Sequence, residues 1–254
     1  MTTHHVVPMR TLGLLGGMSS VATGEYYRRL NQAVNTLRGG HAAAELLMYS
    51  VNFENIEAFV RGDSWPEAAA YLVDKARRLE RGGAEVLMLG TNTMHRVAPQ
   101  IEAAVSIPLL HIVDVTAEAA RSVGVRTVGV LGTRPVMEAA FYQERFASFG
   151  IEVITPRADD RTLVDRVIFD ELVRHVISPA SRAEYVRIMT EFVARGAEAI
   201  VLGCTEIDLL VTASDFPEVP LLDTTALHVE RAVRFSLGLE KLPAPAPAHS
   251  STAH

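Results

Sequence analysis

The sequence predicts an α/β protein built from two pseudo-symmetric parallel-sheet domains that face a shared cleft. Two observations lead to this fold class. Short, continuously apolar segments alternate with longer segments of helical periodicity, a pattern typical of parallel sheets covered by helices on both faces. The chain also repeats itself once, because three pairs of similar segments follow one another in the same order at a nearly constant offset.

The apolar segments give the strands in chain order. Strands are predicted at 11–16, 45–51, 85–90, 107–112, 127–132, 151–156, 199–203 and 219–223. Helices are predicted at 25–37, 65–82, 135–150 and 181–196, where apolar residues recur at helical spacing and several segments end at glycine. A last helix at about 225–237 follows the second repeat, and we expect it to pack back on the first half.

The internal repeat divides the chain into two halves. RTLGLLGG at Arg10 matches RTVGVLGT at Arg126, RGGAEVLMLGTNTMH matches RGAEAIVLGCTEI, and IPLLHIVD matches VPLLDTTA. The second match places Thr91 opposite Cys204. We therefore predict a first α/β half comprising 1–114 and 225–237, and a second half at 115–224. Residues 238–254 are rich in proline and alanine and are expected to form a disordered tail.

Composition excludes several classes of protein. The formal net charge is −6 over 254 residues, which disfavours nucleic acid or an anionic membrane as a partner. A single cysteine cannot form an internal disulfide. The apolar run near the N-terminus is too short for a signal peptide or a membrane span, so a cytoplasmic location is predicted by elimination.

The repeat also predicts the site, because ligands of open parallel sheets bind at the carboxyl ends of the strands. Thr91 and Cys204 follow equivalent strands, so both should face one cleft from opposite sides. Two such groups suit the removal of a proton from one face of a carbon and its return to the other. A thiol with a pKa of about 8.5 suits removal, and free N–H groups at a helix start would stabilise the thiolate.

A lone cysteine is more often an inert core residue than a nucleophile or base. Three features favour a chemical role here: the strand-end position, the polar Thr205 and Glu206 that follow, and the matching polar turn after Thr91. Threonine differs from cysteine as an acid. Its hydroxyl can donate a proton to a carbanion but abstracts one poorly.

Four motifs resemble those of the cofactor-independent aspartate/glutamate racemase superfamily. They are GLLGGMS (13–19), GTNTMH (90–95), LGTR (131–134) and GCTEI (203–207), within a resemblance that runs from about Met9 to Leu237. Most members carry cysteine in both strand-end motifs. With Thr91 in the first, this chain is most similar to a Thr/Cys subgroup specific for L-aspartate and L-glutamate. The resemblance implies an amino-acid substrate, no pyridoxal phosphate or metal, and a homodimer.

The resemblance also implies roles for individual residues. Cys204 would remove the α-proton as a thiolate, and Thr91 would deliver a proton on the opposite face. The residues implied to bind substrate are Met18, Ser19, Asn52, Asn92, Thr93, Thr133, Thr205 and Glu206.

The chain departs from the family at the side-chain carboxylate of the substrate. Many members have an arginine where this sequence has Asn52 and Phe53, and others have a lysine where it has Leu163. Arg134 and Arg161 lie close enough in the sequence to substitute, although neither matches a motif. The motif residues of this chain therefore include no basic residue that accounts for recognition of an acidic side chain.

Other chemistries have weaker patterns. The first glycine-rich turn is not G-x-G-x-x-G and no Walker lysine is present, which disfavours nucleotides. The histidines form no H-x-x-x-H pair with an acid partner, and His95, His111 and His228 are expected at helix starts or in the core. Two alternatives remain open: a single-cysteine decarboxylase or isomerase of the same superfamily, and a catalytically inactive amino-acid-binding protein.

Overall fold

The computed structural model describes residues 8–242 and contains two four-stranded parallel sheets. The first sheet consists of β1 (Leu12–Gly16), β2 (Leu46–Ser50), β3 (Val86–Leu89) and β4 (Leu109–Leu110), in the order β2-β1-β3-β4. The second consists of β5 (Thr127–Gly132), β6 (Glu152–Ile154), β7 (Ala199–Gly203) and β8 (Leu221–Asp223), in the order β6-β5-β7-β8. The two sheets therefore share one topology, and the predicted α/β fold class is confirmed.

The helices cover both sheets. They are α1 (Ser20–Arg38), α2 (Phe53–Arg61), α3 (Trp65–Arg81), α4 (Ala98–Glu102), α5 (Ile112–Ser122), α6 (Arg134–Glu138), α7 (Ala140–Ala147), α8 (Ala158–Asp170), α9 (Pro179–Ala194) and α10 (Thr224–Ser236). The single helix predicted at 135–150 is two helices, because Ala139 between them has extended backbone dihedrals. The helices α2, α4, α5 and α8 lie outside the predicted set.

Matching glycines explain part of the repeat. Gly13 in β1 pairs with Leu87 in β3, and Gly129 in β5 pairs with Ile200 in β7. A Cβ at Gly13 would lie 2.7 Å from the Cβ of Ala84, and one at Gly129 would collide with the ring of Phe192. Each half needs a glycine in its central strand because a neighbouring side chain fills the space that a larger residue would occupy.

The helix that follows the last strand of each sheet contacts the other sheet. Val229 and Val233 of α10 belong to the core cluster that contains β1 and β3. Val113 and Ala117 of α5 belong to the cluster that contains β5 and β7. Helix α5 begins shortly after β4, and α10 begins immediately after β8. The two halves are thus joined by apolar packing as well as by the chain, while the exact domain boundaries stay a prediction.

The predicted tail is described only as far as Leu242. Glu240 forms salt bridges with Arg231 and Arg234 of α10, and Leu242 packs against the apolar cluster that contains β1 and β3. These contacts hold both residues against the folded domain. The remainder of the predicted tail lies outside the described residues. Within 8–242 no helix is both long and apolar enough to cross a membrane.

Candidate active site

A cleft of about 690 Å³ lies at the carboxyl ends of the strands of both sheets. Loops after β1, β3, β5 and β7 all line it, as expected for a ligand site of parallel sheets. Nine of the ten predicted site residues line this cleft: Met18, Ser19, Thr91, Asn92, Thr93, Thr133, Cys204, Thr205 and Glu206.

Asn52 is the predicted binding residue that does not line the cleft. It is exposed, and its side-chain oxygen accepts a hydrogen bond of 3.1 Å from the backbone N–H of Glu54. Asn52 therefore caps the N-terminus of α2, a role that asparagine commonly has. Phe53 and Ile56 of the same helix line the cleft in its place.

At the end of β7, Cys204 lies beside a buried carboxylate. Its Sγ donates a hydrogen bond of 3.0 Å to Oε2 of Glu206, whose side chain is only 4 % exposed. Thr205 Oγ1 donates to the same oxygen, and Ser19 Oγ from the first half donates to Oε1 at 3.2 Å. Both carboxylate oxygens are thus held by hydrogen-bond donors, one of which comes from across the cleft.

This setting keeps the thiol protonated. Burial raises the pKa of Cys204 well above its usual value, and the neighbouring charge and hydrogen bond of Glu206 raise it further. The backbone N–H groups of Thr205 and Glu206 act in the opposite direction and lower the pKa. The local backbone therefore favours the thiolate, as expected, but burial and Glu206 outweigh its effect on the pKa. Cys204 needs a proton acceptor, and Glu206 is in hydrogen-bond contact with it.

At the end of β3, Thr91 is held through its backbone. The carbonyl of Thr91 accepts a hydrogen bond of 2.7 Å from Nδ1 of His95, while Nε2 of His95 accepts one from the N–H of Ile112. Burial lowers the pKa of His95 to about 3, so the ring is neutral. Thr91 is buried, with only 8 % of its surface exposed. Among residues 8–242 its hydroxyl nevertheless makes no hydrogen bond with the protein.

Side chains from the second half position the loop after β3. The Asn92 side chain accepts a hydrogen bond of 3.0 Å from the hydroxyl of Tyr142 and donates one of 3.0 Å to Thr224. Thr93 and Thr133 share a hydrogen bond of 2.9 Å between their hydroxyl groups. The sequence does not identify Tyr142 or Thr224 as part of the site, because their contacts depend on how the halves pack.

The two arginines suggested by the sequence have different positions. Arg134 lines the cleft, whereas Arg161 does not and instead donates hydrogen bonds to Glu138 and to the carbonyl of Pro156. Three further arginines line the cleft and were not predicted: Arg61, Arg166 and Arg174.

The buried histidines are structural in the described part of the chain. His228 contacts Tyr26 and the carbonyl of Leu110, each at 2.9 Å, and His111 caps α5. No set of three or more His, Cys, Asp or Glu side chains between residues 8 and 242 is arranged to hold a metal ion.

A family model and a curated relative both relate this chain to amino-acid racemases. Residues 15–232 match the model of the Asp/Glu/hydantoin racemase family. The chain is 24 % identical to the broad specificity amino-acid racemase RacX of Bacillus subtilis, over 87 % of this chain and 96 % of that protein.

Solved structures agree with the family match. A candidate Asp/Glu racemase from Yersinia pestis is 46 % identical, with a TM-score of 0.85 over 90 % of this chain and 100 % of the other. An aspartate racemase homologue from Pyrococcus horikoshii is 30 % identical, with a TM-score of 0.78 over 90 % and 99 % of the two chains. The match over most of the sequence, the duplicated fold and the paired strand ends lead to one conclusion: this chain belongs to the Asp/Glu/hydantoin racemase family.

Proposed function

We propose that this protein is a cofactor-independent racemase that interconverts the L- and D-enantiomers of aspartate or glutamate, of the Thr/Cys type. The observation that carries the proposal is the pair of equivalent strand ends: Thr91 and Cys204 follow β3 and β7 and line one cleft. A small amino acid is the partner of this site, and a homodimer is the assembly that the family resemblance favours.

Reaction of the L-enantiomer begins with a proton transfer inside the protein. Cys204 gives its proton to Glu206, over the 3.0 Å hydrogen bond between them, and becomes a thiolate. The positive ammonium group of the incoming amino acid offsets the buried negative charge and so favours this transfer. The thiolate then removes the α-proton. The electron pair of the broken C–H bond remains on the α-carbon, which becomes a carbanion.

Completion of the reaction needs a donor on the far side of the carbanion. Thr91 donates its hydroxyl proton to that face. Water then returns a proton to Thr91, and the hydroxide that remains takes the proton held by Glu206, so that Cys204, Glu206 and Thr91 all regain their starting protonation. The hydroxyl groups of Thr93 and Thr133 and the polar loops after the strands provide donors for the substrate carboxylate. Such donors stabilise developing negative charge most strongly where water is excluded.

The two directions differ in mechanism but not in equilibrium. A threonine hydroxyl is a poor base, so proton removal from the D-enantiomer is the harder first step. The equilibrium constant between enantiomers is one, and kcat/KM must therefore be balanced in the two directions. Any one-sidedness that is measured must arise from saturation or product release.

Proton NMR in D₂O tests the proposal. L-aspartate, L-glutamate and neutral L-amino acids are incubated with protein that has been treated with chelator and stripped of pyridoxal phosphate, and chiral chromatography follows the D-enantiomer. We expect loss of the α-proton signal and formation of the D-enantiomer, both absent in Cys204→Ala.

Two outcomes would contradict this assignment. Exchange that survives in Cys204→Ala would remove the thiol from the mechanism. No exchange with any amino acid would exclude racemisation, and arylmalonate decarboxylation would then be measured with the same protein. Failure of both reactions, together with binding of amino acids, would favour the binding-protein alternative.

A further inference from the structure

The outer part of the cleft carries two arginines with no counter-charge in contact. Arg166 lies in the last turns of α8, and Arg174 lies in the short 3₁₀ helix Leu172–Arg174 that follows. Both are exposed and both line the cleft. Within the described chain, 8–242, neither guanidinium lies within 4.0 Å of a carboxylate in an ion pair.

The other two arginines of the cleft are already engaged. Arg61 forms a salt bridge with Glu57 on its own helix. The guanidinium of Arg134 lies 3.3 Å from the hydroxyl of Thr162 and 3.9 Å from Glu138. Arg166 and Arg174 are therefore the cations of this cleft that are free to bind an incoming anion.

The acidic residues of the cleft modify this charge unequally. Glu57 is paired with Arg61, one oxygen of Asp165 accepts the backbone N–H of Arg134, and Glu206 is bonded to Cys204. Asp170 is exposed and lies between Arg166 and Arg174 in the sequence, without an ion pair of its own in the described residues. It reduces the positive potential at this rim.

We propose that Arg166 and Arg174 bind the carboxylate at the end of the substrate side chain and so select acidic over neutral amino acids. The inference rests on the proposed racemase function and assigns its substrate specificity. Thr91 and Glu206 are buried at the floor of the cleft, whereas both arginines are at its rim. A substrate whose α-carbon lies between the buried residues Thr91 and Cys204 would have to extend its side chain into the more exposed part of the cleft to meet these guanidinium groups.

The chemistry of the rim fits this role. The planar guanidinium group offers paired N–H donors that match the two oxygens of a carboxylate. Phe169 and Val173 line the cleft beside the arginines, and apolar neighbours strengthen such a contact by lowering the local dielectric constant. Arg166 and Arg174 thereby occupy the role for which the sequence offers no motif match.

L-glutamate and its uncharged near-isostere L-glutamine provide the test. Arg166→Gln, Arg174→Gln and the double variant are compared with the unaltered protein for KM and kcat on both substrates. We expect each single change to raise KM for L-glutamate roughly fivefold to tenfold with little change in kcat, and to leave L-glutamine unaffected. Asp170→Asn should act in the opposite direction and lower KM for L-glutamate roughly twofold.

A matched control and a binding measurement keep the test independent of turnover. Arg61→Gln removes a cleft arginine that is already paired, so it should not alter the preference for glutamate over glutamine. Calorimetry measures the affinity of Cys204→Ala for L-glutamate, with and without the arginine changes. It tests the contact between the arginines and the side-chain carboxylate without turnover. Equal effects on the two ligands, or no effect on either, would overturn the assignment of the arginines. Absence of turnover with intact, arginine-dependent binding would instead contradict the racemase function.

Discussion

The loops after β3 and β7 are equivalent in the fold but carry different chemistry. Two residues after Thr91, the hydroxyl of Thr93 contacts the hydroxyl of Thr133 from the second half. Two residues after Cys204, the carboxylate of Glu206 contacts Ser19 from the first half. Each loop thus bridges the cleft, but only the second does so with a group that can take up a proton.

The two strand ends therefore differ in their capacity for proton transfer, although the fold around them is duplicated. The thiol at the end of β7 has a proton acceptor at 3.0 Å, whereas the Thr91 hydroxyl has no protein partner among residues 8–242. An acid with a nearby base can act as a base in turn, while an isolated hydroxyl acts only as a donor. We infer that the second half starts the reaction of the L-enantiomer and the first half completes it.

Removal of the thiol is expected to give the largest effect. Cys204→Ala eliminates the group that we propose abstracts the proton, and α-proton exchange of the L-enantiomer should fall by roughly 10³-fold or more. The rate is measured by proton NMR in D₂O, with circular dichroism and thermal unfolding as controls for folding. If exchange in Cys204→Ala stays within tenfold of the rate of the unaltered protein, the thiol at the end of β7 does not abstract the α-proton.

Glu206→Gln separates the two properties of the second strand end. Loss of the carboxylate removes the proton acceptor, so racemisation should slow by roughly 10²-fold. Loss of its negative charge lowers the pKa of Cys204, so alkylation of the thiol by iodoacetamide at neutral pH should become faster. A structural role alone would not move the two rates in opposite directions. Slower alkylation in Glu206→Gln would contradict the proposed coupling.

Thr91→Cys makes the first strand end more like the second. A thiol ionises far more readily than a hydroxyl, so proton removal from the D-enantiomer should speed up by roughly tenfold, measured as α-proton exchange. The paired change Thr91→Ala should stop formation of the D-enantiomer while exchange of the L-enantiomer continues at Cys204. Unchanged racemisation by Thr91→Ala would show that water delivers the second proton.

The two ends also differ behind the cleft, where the first half contains buried neutral histidines. Burial lowers the pKa of His95 to about 3 and that of His228 to about 4, so the unfolded chain binds more protons than the folded one below pH 6.5. The free energy of unfolding should therefore fall by a few kcal/mol as the pH drops from 6.5 toward 4.

Urea denaturation at a series of pH values measures this loss. His228→Gln should flatten the pH dependence, whereas His41→Gln, at an exposed position, should leave it unchanged. The pKa of Glu25 is lowered from its usual 4.5 to about 2, chiefly by its hydrogen bond with Arg28, so the stabilisation from this carboxylate is present above pH 4.5 and is lost mainly between pH 4.5 and 2. A midpoint that stays constant between pH 6.5 and 4.5 would contradict the histidine assignment.

Most of the fold and the floor of the cleft could be predicted from the sequence. Strand-end motifs predict where Thr91 and Cys204 lie because the backbone itself brings equivalent strand ends to one edge of a parallel sheet. Asn52 was misassigned because a side chain beside a strand end can equally cap the next helix. Arg166 and Arg174 were missed because no local pattern states which face of α8, or of the 3₁₀ helix after it, meets the cleft.

The sequence by itself determined the duplication, the strand order of the motifs and the identity of the two facing groups, since these follow from periodicity and from repeated short segments. Only the tertiary structure decided the protonation of Cys204, the free cations of the rim and the contacts of Tyr142 and Thr224 with Asn92. The physical reason is that a pKa, an ion pair and a hydrogen bond depend on atoms brought together from distant parts of the chain, through burial and distance that sequence spacing does not encode.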